Sequence, residues 1–232
     1  MIGDDFLNGQ LLLIDKPLGW TSFQVVNKLR WAIRKTFNIK KIKVGHAGTL
    51  DPLASGLLII CTGKFTKKIN VYQGLHKEYT GTITVGGTTP SFDLETEIDS
   101  TFPIAHITAE LIHKTTQQFL GEIDQKPPIF SAISQGGERL YKAARRGEAV
   151  KVKSRKVTIS EFEITKIDMP HIIFRVVCSK GTYIRSLAND FGKALNSGGH
   201  LSALRRIKIG EFNVVNALDP SVFVSKINPN LE

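Results

Sequence analysis

Residues 45–57 read GHAGTLDPLASGL, and the rest of the chain is best understood outward from them. The stretch holds three glycines (Gly45, Gly48 and Gly56), one histidine (His46), and a single carboxylate, Asp51, lodged between Leu50 and Pro52. Proline biases the residue before it towards an extended backbone. Glycine lets the chain turn sharply and lets a ligand approach closely. The stretch therefore reads as a tight turn. Most aspartates in turns cap the local backbone. This one, however, follows the basic run NIKKIKVG and precedes the apolar run GLLIICTG. That is where a catalytic carboxylate would meet a docking polyanion. The apolar run is a buried strand or a short helix, which periodicity does not separate.

Upstream, QLLLIDKP reads as a strand ended by Pro17. WTSFQVVNKLRWAIRKTF predicts a helix capped by Thr21, with Gln24 completing a capping box and Trp20 facing Val25 as a hydrophobic staple. Its core face is expected to hold Phe23, Val26, Leu29 or Arg30, and Ile33. Downstream, KEYTGTITVGG alternates, with Tyr79, Gly81, Ile83 and Val85 on one side and three threonines on the other, so it predicts a strand. TTPSFDLETEIDSTFP reads as a polar loop. ITAELIHKTTQQFLG reads as a helix capped by Thr108 and stopped near Gly121. KVTISEFEI and HIIFRVVCS predict a hairpin across TKIDMP. TYIRSLANDFGKALN predicts a helix with Ile184, Leu187, Ala188, Phe191 and Leu195 on one face, and LSALRRIKIGEFNV a last strand. Strands mixed with non-alternating helices predict an α+β fold on a mainly antiparallel sheet.

The 232 residues carry a net charge of +10, which favours a polyanionic partner. The positive charge gathers in GGERLYKAARRGEAVKVKSRK and again in LRRIKIG. Neither segment has the apolar stripe that lying on a membrane needs, and no apolar run approaches the roughly 20 residues that cross one. The N-terminus lacks the pattern of a signal peptide. Cys61 and Cys178 lie in apolar runs and suggest neither a disulfide framework nor a zinc site, so a cytoplasmic protein is expected. There is no nucleotide-binding Gly-Lys-Ser/Thr loop, no histidine pair at metal spacing and no serine nucleophile elbow.

GHAGTLDPLASGLL followed by GKFTKKI resembles the signature of the TruB-type tRNA pseudouridine synthases. LLLIDKPLGWTSFQVV, KEYTGTITVGGTTPSFD, KPPIFSAISQGGERLYKAARRG, CSKGTYIRSLANDFG and GGHLSALRRIKIGEF resemble that family's further blocks, in the family's order. The resemblance spans nearly the whole chain. It implies a pseudouridine-synthase catalytic domain: an extended, mainly antiparallel sheet with flanking helices and an inserted thumb at about 124–153. It further implies isomerisation of uridine 55 in the tRNA T loop to pseudouridine, with tRNA as partner and neither cofactor nor metal. A monomer is expected.

The resemblance also assigns roles. Asp51 becomes the catalytic aspartate, acting at C1′, at C6, or in elimination through a glycal. Arg185 pairs with it, which would favour the ionised carboxylate. Tyr79 and Tyr183 hold the flipped uracil, with Tyr79 also able to relay a proton. A target base must leave its stack to react, and each aromatic contact is worth roughly 1–3 kcal/mol. His46 enters the RNA loop, Leu204 lines the uracil pocket, and Lys16 supports the active-site loop or the RNA backbone. Arg145, Arg146 and Lys151, in the thumb, contact phosphates. Phe130 stands where the family usually has tyrosine, and Ser134 where lysine is common. Only about 20 residues follow Phe212, so the separate C-terminal PUA domain of many relatives is not expected within this chain. The rival reading is a non-catalytic tRNA-binding or folding protein that retains the cleft.

Overall fold

A computed structural model describes residues 3–131, 134–135, 138–139, 146 and 152–231. In chain order the principal elements are α1 (Gly3–Asn8), β1 (Leu11–Lys16), α2 (Ser22–Thr36), β2 (Val44–His46), β3 (Ala54–Thr62), α3 (Ile69–Gly74), β4 (Lys77–Val85), β5 (Gly87–Thr88), β6 (Ser100–Thr101) and α4 (Ala109–Thr116). They continue with β7 (Gly121–Gln125), β8 (Ser134–Gln135), β9 (Glu138–Arg139), β10 (Arg155–Asp168), β11 (His171–Cys178), α5 (Ile184–Ala194), β12 (Gly199–Ile209), β13 (Phe212–Asn213) and α6 (Pro220–Ile227). The fold is α+β, and its β1–β3, β2–β3, β7–β10, β10–β11 and β12–β13 ladders are all antiparallel. The chain forms two compact units. One comprises residues 1–79 and 205–232, the other residues 80–204.

In the first unit, β1 runs against β3 from Leu11↔Cys61 to Lys16↔Gly56. The ambiguous apolar run is thus a strand, and its composition follows from burial on both faces. Leu58 and Ile60 join a core with Phe6, Ile14, Val25, Leu29, Ile33 and Phe223. Leu57, Ile59 and Cys61 join a second cluster with Ala47 and Ile209. The capping box of α2 is present as expected: the Thr21 hydroxyl accepts from the Gln24 amide, and the Gln24 side chain accepts from the Thr21 amide. Trp20 packs against the cluster that holds Val25. The expected core face needs one correction, because Phe23 is 63% exposed. The buried apolar stripe is Val25, Val26, Leu29, Ala32 and Ile33, and it starts two residues after Phe23. Helix α6 was not foreseen, although Asp219 caps it and Pro220 opens it.

In the second unit, β4 alternates as predicted, with Gly81, Ile83 and Val85 buried and the threonines half-buried. Gly81 lies so close to β12 that any side chain there would collide with the Ala203 carbonyl oxygen. The β10–β11 hairpin is longer than expected. Its register continues to Asp168↔His171, so Met169–Pro170 alone makes the turn. Phe119, Phe162, Phe174 and Phe191, the last on α5, interlock edge-on or tilted. The stretch expected to be a polar loop is partly structured: β5 pairs β6, and Thr89, Ser91 and Asp93 are buried.

Candidate active site

The Gly45–Gly56 turn is fixed from four directions, all within the first unit. β2 docks on β3 at His46↔Ile60, and the Ala47 amide donates to the Ile59 carbonyl at 2.9 Å. The Ser22 hydroxyl, at the start of α2, accepts from the Leu50 amide at 2.8 Å and donates to the Leu50 carbonyl at 3.0 Å. Thus the residue before Asp51 has both backbone polar groups held by one side chain. The Gly19 amide donates to the Pro52 carbonyl, and the Ala54 amide to the Asp51 carbonyl. Gly48 and Gly56 have φ of +103° and +107°, a region L side chains avoid. At Gly56 a Cβ would also strike the backbone of Arg206.

Arg206 is the fourth support. LRRIKIG reads in sequence as a surface basic patch, yet Arg206 is only 1% exposed. Its Nε donates to the Leu57 carbonyl at 2.7 Å, its Nη2 to Gly48 at 3.0 Å and its Nη1 to Thr49 at 3.5 Å. One guanidinium therefore gathers both ends of the turn. Its neighbour Arg205 pairs with Asp15, with nitrogen–oxygen distances of 3.0 and 2.6 Å.

Lys16 is fully buried and donates to the Pro17 and Trp20 carbonyls at 2.9 and 2.6 Å. Burial pulls its pKa down to about 8; the Asp51 carboxylate opposes that shift and the Arg206 guanidinium adds to it. Burial, followed by Arg206, also lowers the pKa of His46 and so favours its neutral imidazole. The His46 Nδ1 is buried with no hydrogen-bond partner among the described residues. Asp51, Lys16, His46 and Arg206 thus form one electrostatically coupled group. Tyr79, on β4, is buried.

In the second unit, Tyr183 and Arg185 open α5. The Gln125 side chain clamps Tyr183, accepting from its amide at 2.7 Å and donating to its carbonyl at 3.0 Å. The Arg155 guanidinium lies 4.6 Å from the centre of the Tyr183 ring. Arg185 is 5% exposed. It donates to the Ser91 and Phe130 carbonyls at 3.2 and 3.1 Å, and its Nε lies 3.5 Å from the Asp93 carboxylate as an ion pair without hydrogen-bond geometry. Leu204 is half-buried on β12. Arg146 lies in an exposed turn, while Arg145 and Lys151 fall outside the described residues. Sequence reasoning missed Ser22, Arg206, Asp93 and Gln125. Their signal is tertiary in every case: a polar side chain whose partners are remote backbone groups or a remote charge.

Residues 34–184 match the profile described as TruB family pseudouridylate synthase (N terminal domain). The tRNA pseudouridine synthase B of Flavobacterium johnsoniae is 66% identical over 224 residues, covering 96% of this chain and 98% of that protein. The protein of the same name from Phocaeicola vulgatus is 53% identical over 219 residues, covering 94% and 93%. Among solved structures, a chain of a Cbf5–Nop10–Gar1 complex superposes with a TM-score of 0.70 at 29% identity. That match covers 98% of this chain but only 58% of the other.

Proposed function

The chain belongs to the TruB family of pseudouridylate synthases, and on that premise we propose that it isomerises uridine 55 in the tRNA T loop to pseudouridine, with Asp51 as the reacting carboxylate. Its activity is tRNA pseudouridylation. The bond from C1′ to N1 breaks, the freed uracil turns, and C1′ joins C5. The C5 proton leaves and N1 gains one, so atoms balance without a co-reactant.

One observation carries the reading: the turn bearing Asp51 is braced by Ser22 and Arg206 while Lys16 places positive charge beside the carboxylate. A fixed charge aimed at a developing one needs no reorganisation when the reaction occurs. Lys16 favours the ionised form of Asp51, which is the form that can attack or stabilise positive charge at the sugar. On this reading Tyr79 and Tyr183 take the role of holding the flipped base, and Arg185 that of the cation acting with Asp51. Residues 1–232 then act as one catalytic domain, with 124–153 as a thumb on the RNA backbone.

The test is carbodiimide labelling of pseudouridine in a T stem-loop treated with wild type or Asp51→Asn. The substitution keeps the side chain's shape and removes its charge. Expected is loss of product with RNA affinity kept. Product formed at the wild-type rate would remove Asp51 from the chemistry, and product at another uridine would remove the assigned position.

A further inference from the structure

The last two turns of α2 and the loop behind them form an open groove of about 570 Å³, lined by Asn27, Arg30, Trp31, Arg34, Lys35 and Lys40 among others. None of its lining residues is acidic. The sequence around it is similarly biased: from Lys16 to Leu50 there are eight lysines and arginines and no aspartate or glutamate. Arg30 and Arg34 stand one helical turn apart, where like charges repel. None of the four cations forms an ion pair among the described residues. Arg30 bonds to the Asn27 side chain, and Arg34 reaches the Ile39 carbonyl at 3.4 Å. Positive charge at a helix C-terminus complements the dipole, which accounts for Arg34 and Lys35. It does not account for Lys40, for the absence of every acid, or for Trp31, which is 40% exposed.

We propose that this groove is a second RNA-binding surface, holding phosphates of the substrate tRNA that lie outside the modified loop. The proposal rests on the reading of the chain as a tRNA enzyme. Cations spread over two turns and a loop suit a chain of phosphates better than one compact anion. The position excludes the target nucleotide. Ser22 is tied to Leu50 beside Asp51, and Arg30 to Arg34 lie 8 to 12 residues further on, roughly 12–18 Å along the helix at 1.5 Å per residue. A uridine reacting at Asp51 keeps its own phosphates one sugar away, so the groove is reached by nucleotides further along the substrate. Trp31 offers them a ring edge or face, beside the Lys28 ammonium 5.4 Å from its centre.

The experiment compares Lys35→Gln/Lys40→Gln with wild type on full-length tRNA and on a minimal T stem-loop, with dissociation constants measured across salt. Both lysines are exposed, so the double variant keeps the fold. For full-length tRNA, two lost phosphate contacts should lower the log–log salt slope by about 1.5–2 and weaken binding about tenfold or more near 0.1 M salt. For the stem-loop, slope and affinity should not move. In a Trp20→Phe background, full-length tRNA should shield Trp31 from acrylamide quenching and the stem-loop should not. An unchanged slope on full-length tRNA overturns the proposal. An equal loss on both RNAs also overturns it, by placing the groove on the target loop. Wild-type protein that forms no pseudouridine in either RNA would instead sink the functional reading, while the salt slopes would still judge the groove.

Discussion

Arg206→Met tests whether the guanidinium behind the Asp51 turn governs the reaction or only stability. Methionine keeps the aliphatic stem and removes all donors, so the Gly48, Thr49 and Leu57 carbonyls lose this partner. Hydrogen bonds from a charged donor contribute roughly 1.5–3 kcal/mol each, and two of the three have short, good distances. Against this, the variant no longer buries a cation, and Lys16 loses a repulsive neighbour. The net destabilisation is about 2–4 kcal/mol, or about 4–16 °C in Tm at roughly 2–4 °C per kcal/mol for a chain of this size. The turn should then relax around Asp51, and a displacement near 1 Å can cost on the order of 100-fold in rate. The assay is single-turnover pseudouridine formation at saturating stem-loop, well below the variant's melting point, beside a binding titration. We expect the rate to fall and the affinity to hold, with Arg206→Lys intermediate. A lower Tm with a wild-type rate would refute a positioning role and leave Arg206 as a structural group.

Lys16 makes a pH prediction. Its folded pKa of about 8 lies below its ordinary value of 10.5. Between those values the unfolded chain holds a proton that the folded chain does not, so this group makes stability rise with pH across that window. The stability difference between wild type and Lys16→Met should therefore shift in favour of wild type from pH 8 to 10, read by urea unfolding; a flat difference would contradict the burial of the amine. Asp93→Asn removes the charge facing Arg185 where both side chains are under 10% exposed. Breaking such a pair costs about 3 kcal/mol or more, or about 6–12 °C in Tm. A drop of only a degree or two would show that Arg185 is held by its other contacts.

What the sequence made legible is what short-range physics decides. Thr21 and Gln24 declare a helix start because their spacing suits two reciprocal bonds, and β4 declares itself by alternation. GLLIICTG stayed ambiguous because a strand buried on both faces has no polar face to mark its period. The tight turn was visible through Gly48, Asp51 and Gly56, whose residue types are unusual together. Arg206 was not, because a buried arginine and a surface arginine look alike until the carbonyls of residues 48, 49 and 57 arrive from about 150 positions away. Asp93 was hidden for the same reason, inside a stretch whose composition is that of an exposed loop.

The unit that carries Asp51 is interrupted: residues 80–204 separate its two parts, yet Gly81 and Ala203, near the ends of that insertion, touch. Joining the parts across a disordered connection of about 125 residues would cost about 4 kcal/mol in closure entropy, before constant terms. Once folded, the insertion presents its ends as neighbours and removes most of that cost, so it works as a clasp on a necklace. Arg206 then reaches the turn as though it followed Tyr79 by a short loop. Damage to the clasp should loosen the jewel. Both tryptophans, Trp20 and Trp31, lie in the interrupted unit, so their fluorescence reports its melting alone. In Asp93→Asn, whose lesion is in the insertion, that fluorescence should melt early together with the far-ultraviolet dichroism; tryptophans melting at the wild-type temperature would mean the interrupted unit closes without help.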